Sequence, residues 1–267
     1  MKHTLKLAAL ALALQFPTAH AHDVWLEPSS TVLSKAAYIT VAGAVGNDKF
    51  HYNHAALRGV AENFSATAPD GTSVAPENLM NGKLRTVFDL NLTQTGTYRL
   101  AVVNSGVMAN WKEGEQTKRF RGNAETFAKE VPIEAPELSV NESASRLETF
   151  VTVGKPTPIK PTGLGLELVP ITHPNDLFAG EAASFRFDID GKPAAGIEVK
   201  VVRGGSRYRN QLEEITLTTD ADGKFVVTWP QAGMYWLDAD AKDDKTTVKQ
   251  AKERRLGYVA TFEVLPQ

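Results

Sequence analysis

Alternation of apolar and polar positions dominates this chain and predicts strands far more often than helices. Ser184-Phe185-Arg186-Phe187-Asp188-Ile189 alternates strictly, as does the run from Gly196 to Val201. Between them, Asp190-Gly191-Lys192-Pro193 is a hairpin turn. In the first half, strands are predicted at Ala37–Val45, Asn63–Ala68, Arg85–Leu90, Thr97–Val103 and Arg146–Val153. In the second half they are predicted at Leu164–Val169, Ile215–Thr218, Lys224–Trp229, Gly233–Leu237 and Tyr258–Val264. Turn signals such as Gly46-Asn47-Asp48 and Pro69-Asp70-Gly71-Thr72 separate them. Short strands at regular spacing with turn residues between them imply β-sandwiches.

The pattern divides the chain. Residues 22–153 form a first β domain and residues 164–267 a second. Between them, residues 154–163 hold Pro156, Pro158 and Pro161 and read as a stiff linker. The expected class is all-β: two antiparallel sandwich-like domains, the first carrying a mixed loop and short-helix insertion at 104–145. Within the insertion, Asn123–Glu130 suits a helix capped by Asn123 or Gly122, with Phe127 as its apolar contact. Basic residues interleaved with Trp111 and Phe120 could serve a nucleic-acid platform. The slightly acidic balance, net −2, argues against one, and a docking surface for a protein partner fits better.

The first 21 residues have the parts of an export signal. Lys2 and Lys6 precede an apolar run from Leu7 to Leu14, and Ala19-His20-Ala21 is a small-x-small cleavage site. The run is far short of the roughly 20 residues that span a bilayer, and no later stretch reaches that length. The expectation is a chain of about 246 residues, cut after Ala21, exported to the periplasm and not membrane-spanning. It has no cysteine, which removes disulfides, thiolate metal sites and a lipid anchor at the junction.

Cleavage after Ala21 would make His22 the first residue. Its free α-amine and ring Nδ1 could chelate one metal ion, and both shed protons readily to a transition metal near neutral pH. A second imidazole would complete a histidine brace, a nitrogen-rich site that favours Cu(II) or Ni(II). His54 is the first candidate for it and His51 the second. They lie three apart, sharing a face in a helical turn but not in a strand. Asp23 or Glu27 could add an oxygen or orient an imidazole. His173, in the turn Thr172-His173-Pro174-Asn175-Asp176, reads as structural or surface-exposed rather than as a ligand. Thr219-Asp220-Ala221-Asp222-Gly223 opens like a calcium loop, but the twelfth loop position is Gln231 rather than glutamate, so it reads as a turn with aspartate caps. There is no Gly-x-Ser-x-Gly elbow, no His-Glu-x-x-His helix and no phosphate loop. No enzymatic activity is expected.

His22-Asp23-Val24-Trp25-Leu26-Glu27-Pro28, directly after the signal, resembles the opening of an exported domain-of-unknown-function family. Its members carry the label of periplasmic component of a cobalt/nickel ABC-type uptake system. Gly163-Leu164-Gly165-Leu166-Glu167-Leu168-Val169-Pro170 is similar to the family's marker at the start of its second domain. The segment from Asp190 to Gly223 resembles its closing sandwich, itself similar to transthyretin-like and carboxypeptidase-regulatory modules. The resemblance covers nearly all of the chain beyond the signal. Its opening histidine matches His22, whereas His51 matches no family motif. It implies a metal-binding accessory protein for nickel or cobalt, with a membrane transporter or outer-membrane receptor as partner. The donor chemistry alone leans to copper, as a binding protein or an oxidative enzyme. A non-metal adhesion or scaffold module is the remaining alternative.

Overall fold

The structure is a computed structural model that describes residues 23–267; the signal and His22 lie outside the described residues. The first half contributes β1 (Asp23–Pro28), β2 (Val32–Leu33), β3 (Ala37–Gly46), β4 (Ala55–Ala56), β5 (Phe64–Thr67), β6 (Ser73–Val74), β7 (Glu77–Asn81), β8 (Thr86–Leu92), β9 (Gly96–Glu113), β10 (Gln116–Gly122) and β11 (Ser139–Val153). The second half contributes β12 (Leu166–Pro170), β13 (Ala182–Ile189), β14 (Lys192–Pro193), β15 (Glu198–Arg203), β16 (Ile215–Thr218), β17 (Lys224–Thr228), β18 (Gly233–Asp243) and β19 (Ala251–Val264). Among the described residues, two short helices, α1 (Val60–Asn63) and α2 (Ala124–Glu130), interrupt the first half. The fold is all-β, as alternation implies, and among the described residues no sheet closes into a barrel.

One long sheet runs through both halves in the order β16-β15-β18-β19-β11-β9-β5-β6. Its halves join where β11 and β19 pair in parallel, from Val140↔Ala251 to Thr149↔Thr261. A smaller sheet, β1-β3-β8-β7, covers one half of the long sheet, and β12, β13, β14 and β17 cover the other. The first core lies between Leu26, Ile39, Phe88 and Leu90 on the small sheet and Tyr98, Leu100, Leu147 and Val151 on the long one. The second lies between Leu168, Phe185, Phe187 and Val227 and facing Leu237, Tyr258, Ala260 and Phe262. Phe150 belongs to the second core while Leu147 and Val151 belong to the first, so β11 serves the cores with opposite faces. Every residue from Arg146 to Val153 is accordingly buried.

The segment read as a loop-rich insertion is mostly strand. β9 runs on to Glu113, turns through Gly114 and returns as β10, with Gln116↔Glu113 and Gly122↔Val107 marking its register. The helical part follows expectation. Asn123 caps α2, its Oδ1 accepting the Thr126 N–H at 2.8 Å, while Thr126 Oγ1 accepts the Asn123 N–H at 3.1 Å. Phe127 packs with Val107, Val131 and Val140 in a small third core that holds this arm on the body.

Candidate functional site

β1 is an edge strand of the small sheet, and its alternation sends its side chains to two places. Leu26 faces the first core. Trp25, on the opposite side, meets Val202 and Trp236 of the second half, with Ala44 completing a small buried cluster at the seam between the sandwiches. Phe50 and Tyr52, from the loop after β3, pack on the Trp25 ring at 5.9 Å between centroids. The Trp236 indole N–H donates to the Val24 carbonyl at 2.9 Å, tying β18 to the start of β1. This fixes the position of Asp23, the residue after His22.

Asp23 pairs with Lys49 at 2.8 Å, and the Lys49 ammonium also lies 4.7 Å over the Trp236 ring. Two further acids, Asp238 and Asp240, follow Trp236 on the same face of β18. Burial, then the charges of Asp240 and Asp23, push the Asp238 acid up to about 7, against the pull of Lys200 and Lys49. Desolvation raises the Asp240 acid as well. The start of β1 therefore borders two acids that burial makes reluctant to ionise. The strand expected over Gly233–Leu237 continues to Asp243, and alternation in Trp236-Leu237-Asp238-Ala239-Asp240 is the signal that places these acids on it.

The histidines differ in placement. His51 is engaged: Arg207 Nη1 lies 2.9 Å from its Nδ1, and an arginine only donates, so the ring acts as acceptor. A guanidinium at that distance opposes a metal ion there. His54 is exposed and directly precedes β4. β4 pairs Ala55 with Val45, and β1 pairs Asp23 with Gly46 on the other side of β3. His54 and Asp23 thus sit at the same end of the sheet, about 10 Å apart across two strand spacings. Among the described residues, no three His, Asp or Glu side chains converge as a metal site.

Glu27 is held by the Tyr52 hydroxyl, which donates to Oε2. Burial, then Glu27 itself, pushes the Tyr52 phenol well above its ordinary value, whereas the Trp25 indole beside it works in the opposite direction. His173 is partly buried, accepting the Asn175 N–H on Nδ1 at 3.2 Å and contacting Thr97 Oγ1 through Nε2 at 2.9 Å. Burial lowers its proton affinity, and its bonds bridge β9 to the start of the second half. Asp220 caps its own turn, Oδ1 accepting the N–H of Asp222 at 2.9 Å and of Lys224 at 2.8 Å. No described helix is long and apolar enough to cross a membrane.

Fold and seam together define an all-β protein of two sandwiches sharing one sheet, with its first described strand laid into the joint. Residues 19–243 match the family described as Domain of unknown function (DUF4198), and the chain belongs to that family. No curated protein matches it. Among solved structures, the D0-D1 domain of intimin is 14% identical with a TM-score of 0.23, covering 91% of this chain and 97% of that one. A DUF4785 family protein from Legionella pneumophila is 10% identical with a TM-score of 0.24, covering 82% and 52%. An Escherichia coli alpha-2-macroglobulin activated by porcine elastase is 10% identical with a TM-score of 0.21, covering 92% and 31%.

Proposed function

We propose that this is an exported transition-metal-binding accessory protein that serves nickel or cobalt uptake or handling. The ion is held by the α-amine and Nδ1 of His22 once the signal is cut after Ala21. The observation that supports this most is the strand register that brings His54 to the sheet end where β1 begins, about 10 Å from Asp23. An imidazole extending from each side of that gap could share one ion. His54 is the second ring of choice, because the residue directly after it pairs with Val45 at the sheet end where β1 begins. Asp23, already paired with Lys49, acts on the site through its charge. A cation there would favour ionisation of Asp238 and Asp240, which burial otherwise makes reluctant to lose their protons.

The test is calorimetric titration of nickel, cobalt and copper salts into the secreted protein, with mass spectrometry confirming His22 as its first residue. A version carrying one extra N-terminal alanine loses the amine–imidazole chelate. It should bind at least about 100-fold more weakly. His54→Ala should weaken binding about tenfold or more. Equal affinity for the extended and native N-termini rejects the proposal. Oxygen consumption with ascorbate by the copper-loaded protein would move the reading to an oxidative enzyme.

A further inference from the structure

On the Glu27 side of the seam, the sandwiches leave an open cleft of about 510 Å³. Glu27 and Arg85 line it from the first sandwich, Met234 and Glu263 from the second, and Tyr52 from the loop over β1. Each carboxylate is anchored by one hydroxyl: Tyr52 donates to Glu27 Oε2 and Thr31 to Glu263 Oε2. Among the described residues, the Oε1 atoms take no hydrogen bond and neither carboxylate has an ion-pair partner. Arg85 likewise pairs with no carboxylate; its guanidinium lies 5.2 Å over the Tyr52 ring. The cleft thus brings together two carboxylates, one guanidinium and the Tyr52 hydroxyl.

Glu27 and Glu263 are partly buried, whereas Arg85 is exposed; a partly buried carboxylate without a countercharge is costly, and a ligand that pairs it recovers that free energy. The lining carries one positive charge against two negative ones, so the complementary ligand carries two positive groups and one negative group. A bare metal ion would leave Arg85 unpaired and most of the volume unfilled, whereas the size suits a small organic molecule. Val87, Ala42 and Met234 give the cleft an apolar wall for an aliphatic stem. We propose that the cleft binds a small diamino monocarboxylic acid of the lysine or ornithine type, its ammonium groups on Glu27 and Glu263 and its carboxylate on Arg85. This site goes beyond the metal reading and uses different residues.

The probe is L-lysine, titrated calorimetrically into the full chain after chelator treatment, so that no metal–amino-acid complex contributes. Cadaverine lacks the carboxylate and norleucine lacks the second amine; each should bind at least about tenfold more weakly than lysine. Glu27→Gln and Glu263→Gln, which keep shape and differ only in charge, should each weaken lysine about tenfold. Arg85→Gln should abolish the preference for lysine over cadaverine, a readout that general destabilisation would not give. Circular dichroism and melting curves establish that each variant is folded. No lysine binding up to about 10 mM by the folded protein overturns the proposal. Equal affinity for the three probes does the same, as does an Arg85→Gln variant that keeps the preference.

Discussion

Glu148→Gln should be among the most destabilising single substitutions in this protein. Glu148 is fully buried on β11, at the parallel joint between the sandwiches. It accepts the Tyr258 hydroxyl at 2.8 Å and Arg146 Nη1 at 3.1 Å. Arg99 spans it and Glu167, 3.5 Å from each and without a hydrogen bond to either. Glu167 is itself held by the backbone N–H groups of Thr162 at 2.7 Å and Gly163 at 2.8 Å, where the linker turns into β12. Two guanidinium groups and two carboxylates therefore balance inside the joint. Glutamine keeps the shape of Glu148 but leaves one buried positive charge unmatched, which costs about 3–5 kcal/mol. With a urea slope near 3 kcal/mol/M for a chain of this size, the midpoint should fall by more than about 1 M. Urea titration followed by tryptophan fluorescence reads this, because Trp25 and Trp236 report the seam and Trp229 the second core. Wild type should unfold in one transition, since the cores share β11. Tyr258→Phe, which removes only one donor, should cost about 1–1.5 kcal/mol. A Glu148→Gln loss below about 1 kcal/mol would mean that the joint's charges are solvated, and the reasoning fails.

Asp238→Asn should flatten the pH dependence of stability. Folded Asp238 keeps its proton up to about pH 7 but releases it near 3.8 when unfolded, so wild-type stability falls as pH rises through that window, by at most roughly 4 kcal/mol. The asparagine variant should gain on wild type in urea midpoint from pH 4 to pH 8, and a constant difference between them refutes the assignment. Gly223→Ala should cost at least about 2 kcal/mol, because φ is +74° and a Cβ would come within 2.5 Å of the Phe187 carbonyl oxygen. Gly196→Ala is the matched control: φ is +75° with nothing within 4 Å, so strain alone should cost about 1 kcal/mol, and equal melting shifts for the two would show that the close approach is irrelevant. Phe127→Ala should remove about 3 kcal/mol or more and loosen the β9–β10 arm first, read as faster amide exchange in β10 than in β13.

The parts of this fold that sequence exposes are those in which one face is wet. β13 alternates visibly, and its turn to β14 is legible because Asp190 and Gly191 must adopt φ of 51° and 75°, conformations suited to Asp-Gly. β11 misleads for the opposite reason. Arg146 and Glu148 suggest a solvent face, yet both are buried because a second sandwich covers them and their charges pair within it. The β9–β10 arm misleads in a third way: its core is small, so few apolar positions mark Lys118-Arg119-Phe120-Arg121 as strand. Nor can local pattern reveal that Thr149 donates to the carbonyl of Thr261, since parallel partners so far apart in the chain leave no turn between them. The site inherits this limit, because it lies where strands from both halves meet. Alternation nonetheless constrains it. Leu237 and Ala239 are committed to the second core, so Trp236, Asp238 and Asp240 must face the other way. Trp236 shows where that way leads, by donating to the Val24 carbonyl. The acids are thereby directed toward the strand on which His22 would enter, whatever ion or partner it meets there.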